Sequence, residues 1–209
     1  MRRGRPRPDP REDLAGWVEA ARGGDDDAFS ALYAAVQPGI LRYLQGIVGQ
    51  DAEDVAAEAW LQIARDLRRY RGEGGGFAAW AVSVARHRAM DHLRRQSRRP
   101  AQPVDLETLG HLTDGYDTAD QAVQAVATHR AIALIATLPR DQAEAVLLRV
   151  VVGLDADAAG RILGKRPGAV RTAAYRGLRR LARQLEQDPP PSRPLERRPG
   201  PAVMRGVAR

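Results

Sequence analysis

Few residues in this 209-residue sequence have the types and spacing that covalent chemistry requires. Residues 160–166 come nearest to a phosphate-binding loop, but they hold one residue too few between the glycines and place Arg166 where a serine or threonine would bind magnesium. His87 and His92 do not share a helix face, so they make a poor pair of metal ligands. The chain has no cysteine, and the acidic residues 25–27 are better explained as a helix cap. We therefore predict no catalytic residue, no metal site and no cofactor.

Binding to anions is the chemistry that the sequence does support. It contains 33 Lys+Arg against 26 Asp+Glu, a formal net charge of +7, and Lys165 is its only lysine. A cationic surplus of this kind favours a polyanionic partner, most often nucleic acid. No apolar run is long enough to span a bilayer or to act as a secretory signal, so the expected location is the cytoplasm, without membrane insertion.

The most specific local pattern lies in residues 154–185. Asp155 is placed to cap a short helix, Gly164 to make a turn, and Pro167 to begin a second helix. Residues 161–185 carry eight basic side chains and no acid, and most of the bases lie off the apolar stripe of the second helix. This pattern predicts a helix-turn-helix that reads a DNA major groove. The alternative is an amphipathic helix whose basic face is merely solvated.

A second basic segment occupies residues 86–99, where six arginines accompany one acid, Asp91. Three aromatic residues precede it: Tyr70, Phe77 and Trp80. Arginines beside aromatic rings suit single-stranded or unstacked nucleic acid, because the arginines neutralise phosphates while the rings stack on bases. The alternative is that the aromatic side chains belong to the core, and Trp80 is the strongest candidate for that.

The elements that must position these segments are helices, and we find no convincing strand. Apolar residues recur at helical spacing over residues 14–21, 29–44 with a kink at Pro38, 51–70 and 77–97, and again from 119 to 187. We predict an all-α protein of two small helical domains, residues 13–99 and 119–187, with the helix-turn-helix in the second. Residues 100–118 are the expected flexible linker, and the Pro/Arg-rich ends, residues 1–12 and 188–209, are expected to be disordered.

Taken in order, these segments resemble a bacterial RNA polymerase sigma factor of the extracytoplasmic-function (ECF) class. Residues 27–33 resemble the start of that family's second conserved region, residues 52–58 its "AEDxxQE" segment, and residues 80–95 its "WLxxIARNxxxDxxRR" segment. Leu138-Pro139, Gly153-Leu154 and residues 168–176 resemble the "LP…G(L/Y)S…GTVKSRLxRA" pattern of its fourth region. The resemblance covers residues 13–99 and 119–187.

The resemblance implies a promoter-specificity subunit and a role for particular residues. Asp54 and Glu58 would bind the β′ clamp helices of core RNA polymerase. The −10 promoter element would be held by Arg71, Arg86, His87, Asp91, Arg94 and Arg95. The −35 element would be bound by Pro167, Gly168, Arg171, Thr172, Tyr175, Arg176 and Arg179. The implied partners are core polymerase, including its β flap, promoter DNA and an anti-sigma factor.

The sequence departs from the family pattern at three places. Ala57 replaces the glutamine of the clamp-binding segment, and His87 replaces an asparagine that contacts the −10 strand. Residues 158–160 are Ala-Ala-Gly in place of "EIA", which removes a branched side chain and is expected to soften the packing of the first helix of the helix-turn-helix.

Two other functions remain open on the sequence alone. A stand-alone helix-turn-helix regulator would bind an operator without polymerase, but it would leave the acidic segment 51–58 and the arginine-rich segment unexplained. An enzyme that acts on nucleic acid would need the N-terminal carboxylates as a metal site, and sensitivity to a chelator would reveal it.

Overall fold

The computed structural model describes residues 14–72, 74–98 and 119–187, and nearly all of them are helical. The elements are α1 (Leu14–Arg22), α2 (Asp26–Val48), α3 (Ala52–Asp66), α4 (Gly74–Ser97), α5 (Ala119–Ala136), α6 (Arg140–Val146), α7 (Ala156–Leu163) and α8 (Pro167–Gln187). No strand occurs within these ranges, so the predicted all-α class is confirmed. The predictions for the two chain ends and for the linker lie outside the described residues.

Helices α1 to α4 form the first unit, in which α2 packs against the other three. The Asp25 side chain caps α2 by accepting a hydrogen bond from the Ala28 amide at 2.9 Å. The helix continues through Pro38, where the sequence predicts a kink, and ends at Gly49. Its apolar face supplies the centre of the core, where Leu32, Ile40 and Leu44 are fully buried.

Helices α5 to α8 form the second unit, built mainly on the contact between α6 and α8. The sequence predicts one helix from residue 141 to 152, but α6 ends at Val146 and passes into a π-helical turn, Leu147–Val151. The wider turn changes which side chains face inward, and Val146, Leu147 and Leu148 all become fully buried.

The predicted helix-turn-helix is confirmed in its local geometry. The Asp155 carboxylate accepts a hydrogen bond from the Ala158 amide at 2.7 Å and so caps α7. Gly164 ends α7 in the left-handed region at φ 64°, which a residue with a side chain adopts less readily. Pro167 is the first residue of α8, where its missing N–H costs no hydrogen bond.

The structure explains why a glycine occupies position 160, which the sequence alone does not. A Cβ atom built on Gly160 would lie 2.6 Å from the Lys165 carbonyl oxygen, so the backbone after the turn passes directly over it. The neighbouring Ala159 is fully buried. At Gly160 the missing side chain thus allows the turn to close tightly, whereas the softened packing expected from the loss of a branched side chain concerns Ala159 and stays a prediction.

The two units also pack against each other in the described residues. Helix α5 and the π-helical turn contact α2, and α7 contacts α4. Buried side chains from both units belong to one continuous hydrophobic cluster. The two helical domains therefore share an interface within the described residues.

We predict that Gly160→Ala destabilises the protein by about 1–3 kcal/mol, because the added methyl group must displace a backbone carbonyl. Gly168→Ala is the matched control. Its nearest neighbour would be the Arg171 guanidinium at 4.0 Å, so a stabilisation of about 0.5–1 kcal/mol is expected from helix propensity alone. Urea unfolding followed by circular dichroism measures both, and similar midpoints for the two variants would contradict the close approach.

Candidate nucleic-acid and polymerase interfaces

The outer face of α8 carries polar and basic side chains, while a few small and apolar residues of its inner face are buried. Val170 is fully buried and Ala174 is nearly so, and they fix the orientation of α8. The predicted −35 residues Gly168, Arg171, Thr172, Tyr175, Arg176 and Arg179 are exposed, and Pro167 is half-buried. The Arg179 guanidinium lies 5.8 Å from the centre of the Tyr175 ring, a cation–π contact.

The basic surface of α8 extends further than the sequence predicts. A depression of about 530 Å³ lies between α6 and α8, and Arg176, Arg179, Arg180 and Arg183 line it together with Tyr175 and Thr172. Arg180 and Arg183 were missed as site residues, although their spacing of four residues from Arg176 and Arg179 places them on the same side of the helix. A concave surface lined by four guanidinium groups suits phosphate oxygens.

The apolar stripe predicted for α8 is only partly buried. Leu178 and Leu185 are 44% and 43% exposed, whereas Gly177 lies against α6. The buried face therefore runs through Val170, Ala174 and Gly177, because the glycine lets α8 approach Val146 closely. The stripe therefore predicts the buried positions Val170 and Ala174 correctly, but not the exposure of Leu178 and Leu185.

The predicted −10 residues of α4 are brought together on one helix, but four of them, Arg86, Asp91, Arg94 and Arg95, are engaged in ion pairs. Arg94 pairs with Asp91 at 2.6 Å, and Arg95 pairs with Glu58 at 3.2 Å. Arg86 pairs with Glu144 of the second unit at 2.9 Å. His87 on α4 and Arg71, which lies just before that helix, are exposed.

The acidic surface of α3 also differs from its prediction. Asp54 and Glu58 are both exposed and lie one turn apart on the same face, as predicted. The sequence indicates that this face is unpaired, and for Glu58 that is wrong because Arg95 reaches it from α4. Two residues predicted to serve different partners thus contact each other.

An apolar depression of about 610 Å³ lies beside the acidic surface, between α2 and α3. Its lining includes Phe29, Tyr33, Trp60 and Leu61. Tyr33 and Leu61 are 42% and 59% exposed, so large apolar side chains face solvent here. The sequence gives no signal for this depression, because it arises where two helices meet.

Three aromatic residues, one before α4 and two in its first turns, pack into the core. Tyr70, Phe77 and Trp80 pack together, with the Tyr70 and Phe77 rings edge to face at 5.7 Å between centroids. Phe77 is fully buried and Tyr70 is 8% exposed. The predicted stacking of these two rings on bases is therefore wrong for this conformation, and Trp80 is the ring that stays partly accessible.

Glu144 is not among the residues that the sequence predicts for either interface. It is the one charged side chain of the described residues that is buried, at 2% exposure. Arg86 and Arg140 both donate hydrogen bonds to its carboxylate. Burial raises the pKa of the nearby Tyr43 phenol above its ordinary value of 10.0, and the negative charge of Glu144 raises it further.

Both basic helices, α4 and α8, lie in regions that match families of known proteins. A family model described as Sigma-70 region 2 matches residues 32–99, and one described as Sigma-70 region 4 matches residues 128–181. ShbA of Streptomyces griseus, an ECF RNA polymerase sigma factor, is 36% identical over 180 residues, which cover 81% of this chain and 94% of ShbA. The chain belongs to the ECF sigma factor family. The resemblance seen in the sequence is thus confirmed.

Two further comparisons are consistent with this assignment. The sigma factor is 32% identical over 178 residues to BldN of Streptomyces coelicolor, covering 82% of this chain and 65% of BldN. A structure of CnrH in complex with the cytosolic domain of CnrY superposes with a TM-score of 0.57, at 20% identity over 86% of this chain and 99% of the other. The CnrH comparison supports the fold.

Residues 14–72, 74–98 and 119–187 of the sigma factor contain neither a membrane-spanning helix nor a cluster of metal-binding side chains. Every helix in these ranges is too short or too polar to cross a lipid bilayer. The same ranges contain no group of three or more histidine, aspartate and glutamate side chains placed to hold a metal ion.

We predict that the buried phenol of Tyr43 limits stability at alkaline pH. The folded state disfavours the phenolate, so this contribution to stability is complete below the ordinary tyrosine pKa of 10.0 and is lost as the pH rises above it. Ultraviolet absorbance should show that Tyr43 ionises only as the circular dichroism signal of the fold is lost, so Tyr43→Phe should lower the absorbance change of that late step by one tyrosine. Ionisation of all five tyrosines in a folded chain would contradict the assignment.

Proposed function

We propose that this sigma factor directs core RNA polymerase to promoters by binding the −35 element with α8 and the −10 element with α4. The proposal rests mainly on one observation: α8, which follows the Gly164 turn, presents an exposed row of basic and polar side chains. It is proposed to act in the cytoplasm as a DNA-binding initiation factor rather than an enzyme, with no cofactor.

Recognition of the −35 duplex is assigned to the first turns of α8. Arg171 and Arg176 are exposed, and Arg179 lies against the Tyr175 ring. Guanidinium groups read guanine edges in the major groove, while other arginines bind phosphates and fix the register of the helix. We assign base reading to Arg171 and Arg176 with support from Thr172 and Tyr175, and phosphate contacts to Arg179, Arg180 and Arg183. The backbone at Pro167 and Gly168 would approach the duplex where α8 begins.

Recognition of the −10 element is assigned to α4 and the segment before it. Arg71, Arg86, Arg94 and Arg95 give this surface a positive charge that suits an opened strand, and His87 is exposed on the same helix as three of them. Asp91 holds Arg94 at 2.6 Å and would orient it. Since Phe77 is buried, Trp80 is the aromatic side chain best placed to contact an unstacked base.

Docking to core polymerase is assigned to the surface that α2 and α3 share. Asp54 and Glu58 supply exposed carboxylates, and the adjoining depression supplies apolar contact through Tyr33 and Leu61. A basic and apolar partner helix, such as those of the β′ clamp, would match both features. The β flap as the partner of the second unit and an anti-sigma factor as an inhibitor are proposed from family membership.

We predict that Arg171→Ala combined with Arg176→Ala abolishes initiation at promoters that need a −35 element while core polymerase binding stays intact. Both side chains are exposed, so the fold loses little, and each lost base contact costs about 1–3 kcal/mol. Run-off transcription and a polymerase pulldown measure the two effects. Arg65→Ala with Arg130→Ala, which removes two exposed arginines elsewhere, is the matched control. Parallel loss of polymerase binding in the first variant would identify α8 as a protein interface.

We predict that Asp54→Arg weakens core polymerase binding at least tenfold, which is about 1.4 kcal/mol or more. Asp54 is tested alone because Glu58 is paired with Arg95, and reversing its charge would also disturb α4. Glu186→Arg, which reverses an exposed acid at the end of α8, is the control. Equal affinity of the Asp54 variant and the parent, with unchanged helix content, would show that this acidic surface is only solvated.

A further inference from the structure

The two helical units meet at a carboxylate that both of them bind. Glu144 lies on α6 of the second unit and is 2% exposed. Arg86 on α4 of the first unit donates a hydrogen bond from Nε to Glu144 Oε2 at 2.9 Å, and Arg140 on α6 donates from Nε to Oε1 at 3.1 Å. One carboxylate oxygen is thus bound by each unit.

Because of this arrangement, the buried charge of Glu144 in the second unit depends on the first unit for part of its compensation. A buried carboxylate is costly unless cations and hydrogen bonds compensate it. Arg140 supplies one partner from the same helix, but its side chain is 58% exposed, whereas Arg86 is only 22% exposed and comes from the other unit. Separating the units would leave Glu144 with one partner in place of two.

Apolar contacts beside the ion pair show that the interface is closely fitted. A Cβ atom built on Gly46 of α2 would lie 2.7 Å from Leu147 Cδ1 in the π-helical turn. Leu147 is fully buried, so it has no space into which to withdraw. Arg140 also contacts the sulfur of Met90 on α4, and Met90 is 9% exposed. Ionic and apolar contacts therefore hold the same two surfaces together.

We propose that this interface is an autoinhibitory contact, in which Glu144 occupies the guanidinium of Arg86 and so keeps the free sigma factor from binding promoter DNA. Arg86 is only 22% exposed beside the second unit, so its guanidinium is shielded from a strand phosphate while Glu144 holds it. The second unit must therefore leave α4 before the −10 strand binds there. The inference rests on the proposed function in assigning Arg86 to the −10 element.

Two variants on opposite sides of the interface should open it. Gly46→Leu inserts a side chain against Leu147. The three atoms nearest to a Cβ at Gly46 all belong to Leu147, so the main clash falls on the second unit, and the first unit should stay folded and gain helix propensity. Glu144→Gln keeps the size of the side chain but removes its charge. Glu186→Gln makes the same change of net charge at an exposed site and is the matched control.

Fluorescence energy transfer within the full chain measures the opening directly. The sequence has no cysteine, so Ser30→Cys on α2 and Ala182→Cys on α8, both exposed, give two unique labelling sites. We expect high transfer efficiency in the parent and the Glu186 control, and low efficiency in the Gly46 and Glu144 variants. This readout needs neither DNA nor polymerase, so it tests the interface independently of the proposed function.

Binding of a mixed-sequence single-stranded oligonucleotide, without polymerase, tests the inhibition. If the parent is closed in about 90% of molecules, opening should raise its apparent affinity about tenfold. Both opened variants should show this gain and the Glu186 control should not. Should Glu144→Gln fail to fold, as circular dichroism would reveal, Gly46→Leu decides the question.

Two results would overturn the inference. Equally low transfer efficiency in the parent and in the Gly46 variant would show that the units do not hold together in solution. A fall in transfer efficiency without a gain in affinity would show that the contact is structural and does not mask the DNA surface. Failure of the proposed function would be seen separately, as absence of promoter-dependent transcription from opened and parent proteins alike.

Discussion

One buried carboxylate sets how the two helical units lie against each other. Glu144 is removed from water, and a charge in that position requires compensation by cations at hydrogen-bonding distance. Its own helix supplies Arg140, and the other unit supplies Arg86. The two hydrogen bonds that meet this requirement join α4 to α6, and they lie near the buried phenol of Tyr43, whose pKa the Glu144 charge also raises. The shape of the chain and the accessibility of a predicted DNA-binding arginine are therefore linked through one side chain.

The local features of the fold could be predicted from the sequence because their causes are local. Asp155 caps α7, Gly164 adopts a left-handed conformation and Pro167 begins α8, and each depends on backbone geometry within a few residues. The charge pattern predicts the basic outer face of α8 for the same reason, since helical spacing alone separates Arg171 and Arg176 from Val170. The division into two helical units follows from the interruption of apolar periodicity near residues 100–118.

Features that depend on contacts between distant residues could not be predicted in this way. Glu58 and Arg95 are 37 residues apart, and Arg86 and Glu144 are 58 apart, so no spacing rule pairs them. The burial of Phe77 depends on how α4 packs, and the close turn at Gly160 depends on the path of the backbone at Lys165. The sequence thus identifies which surfaces are basic or acidic, whereas the tertiary structure decides which of those charges already have a partner.

The most direct test of whether this chain selects promoters is transcription reconstituted from purified core RNA polymerase and fragmented genomic DNA. With the sigma factor present, we expect transcripts whose start sites share two upstream elements at a constant spacing, none of which core polymerase produces alone. The same start sites should be lost when the −35-like element is scrambled. A set of start sites identical to that of core polymerase without the protein would contradict the account.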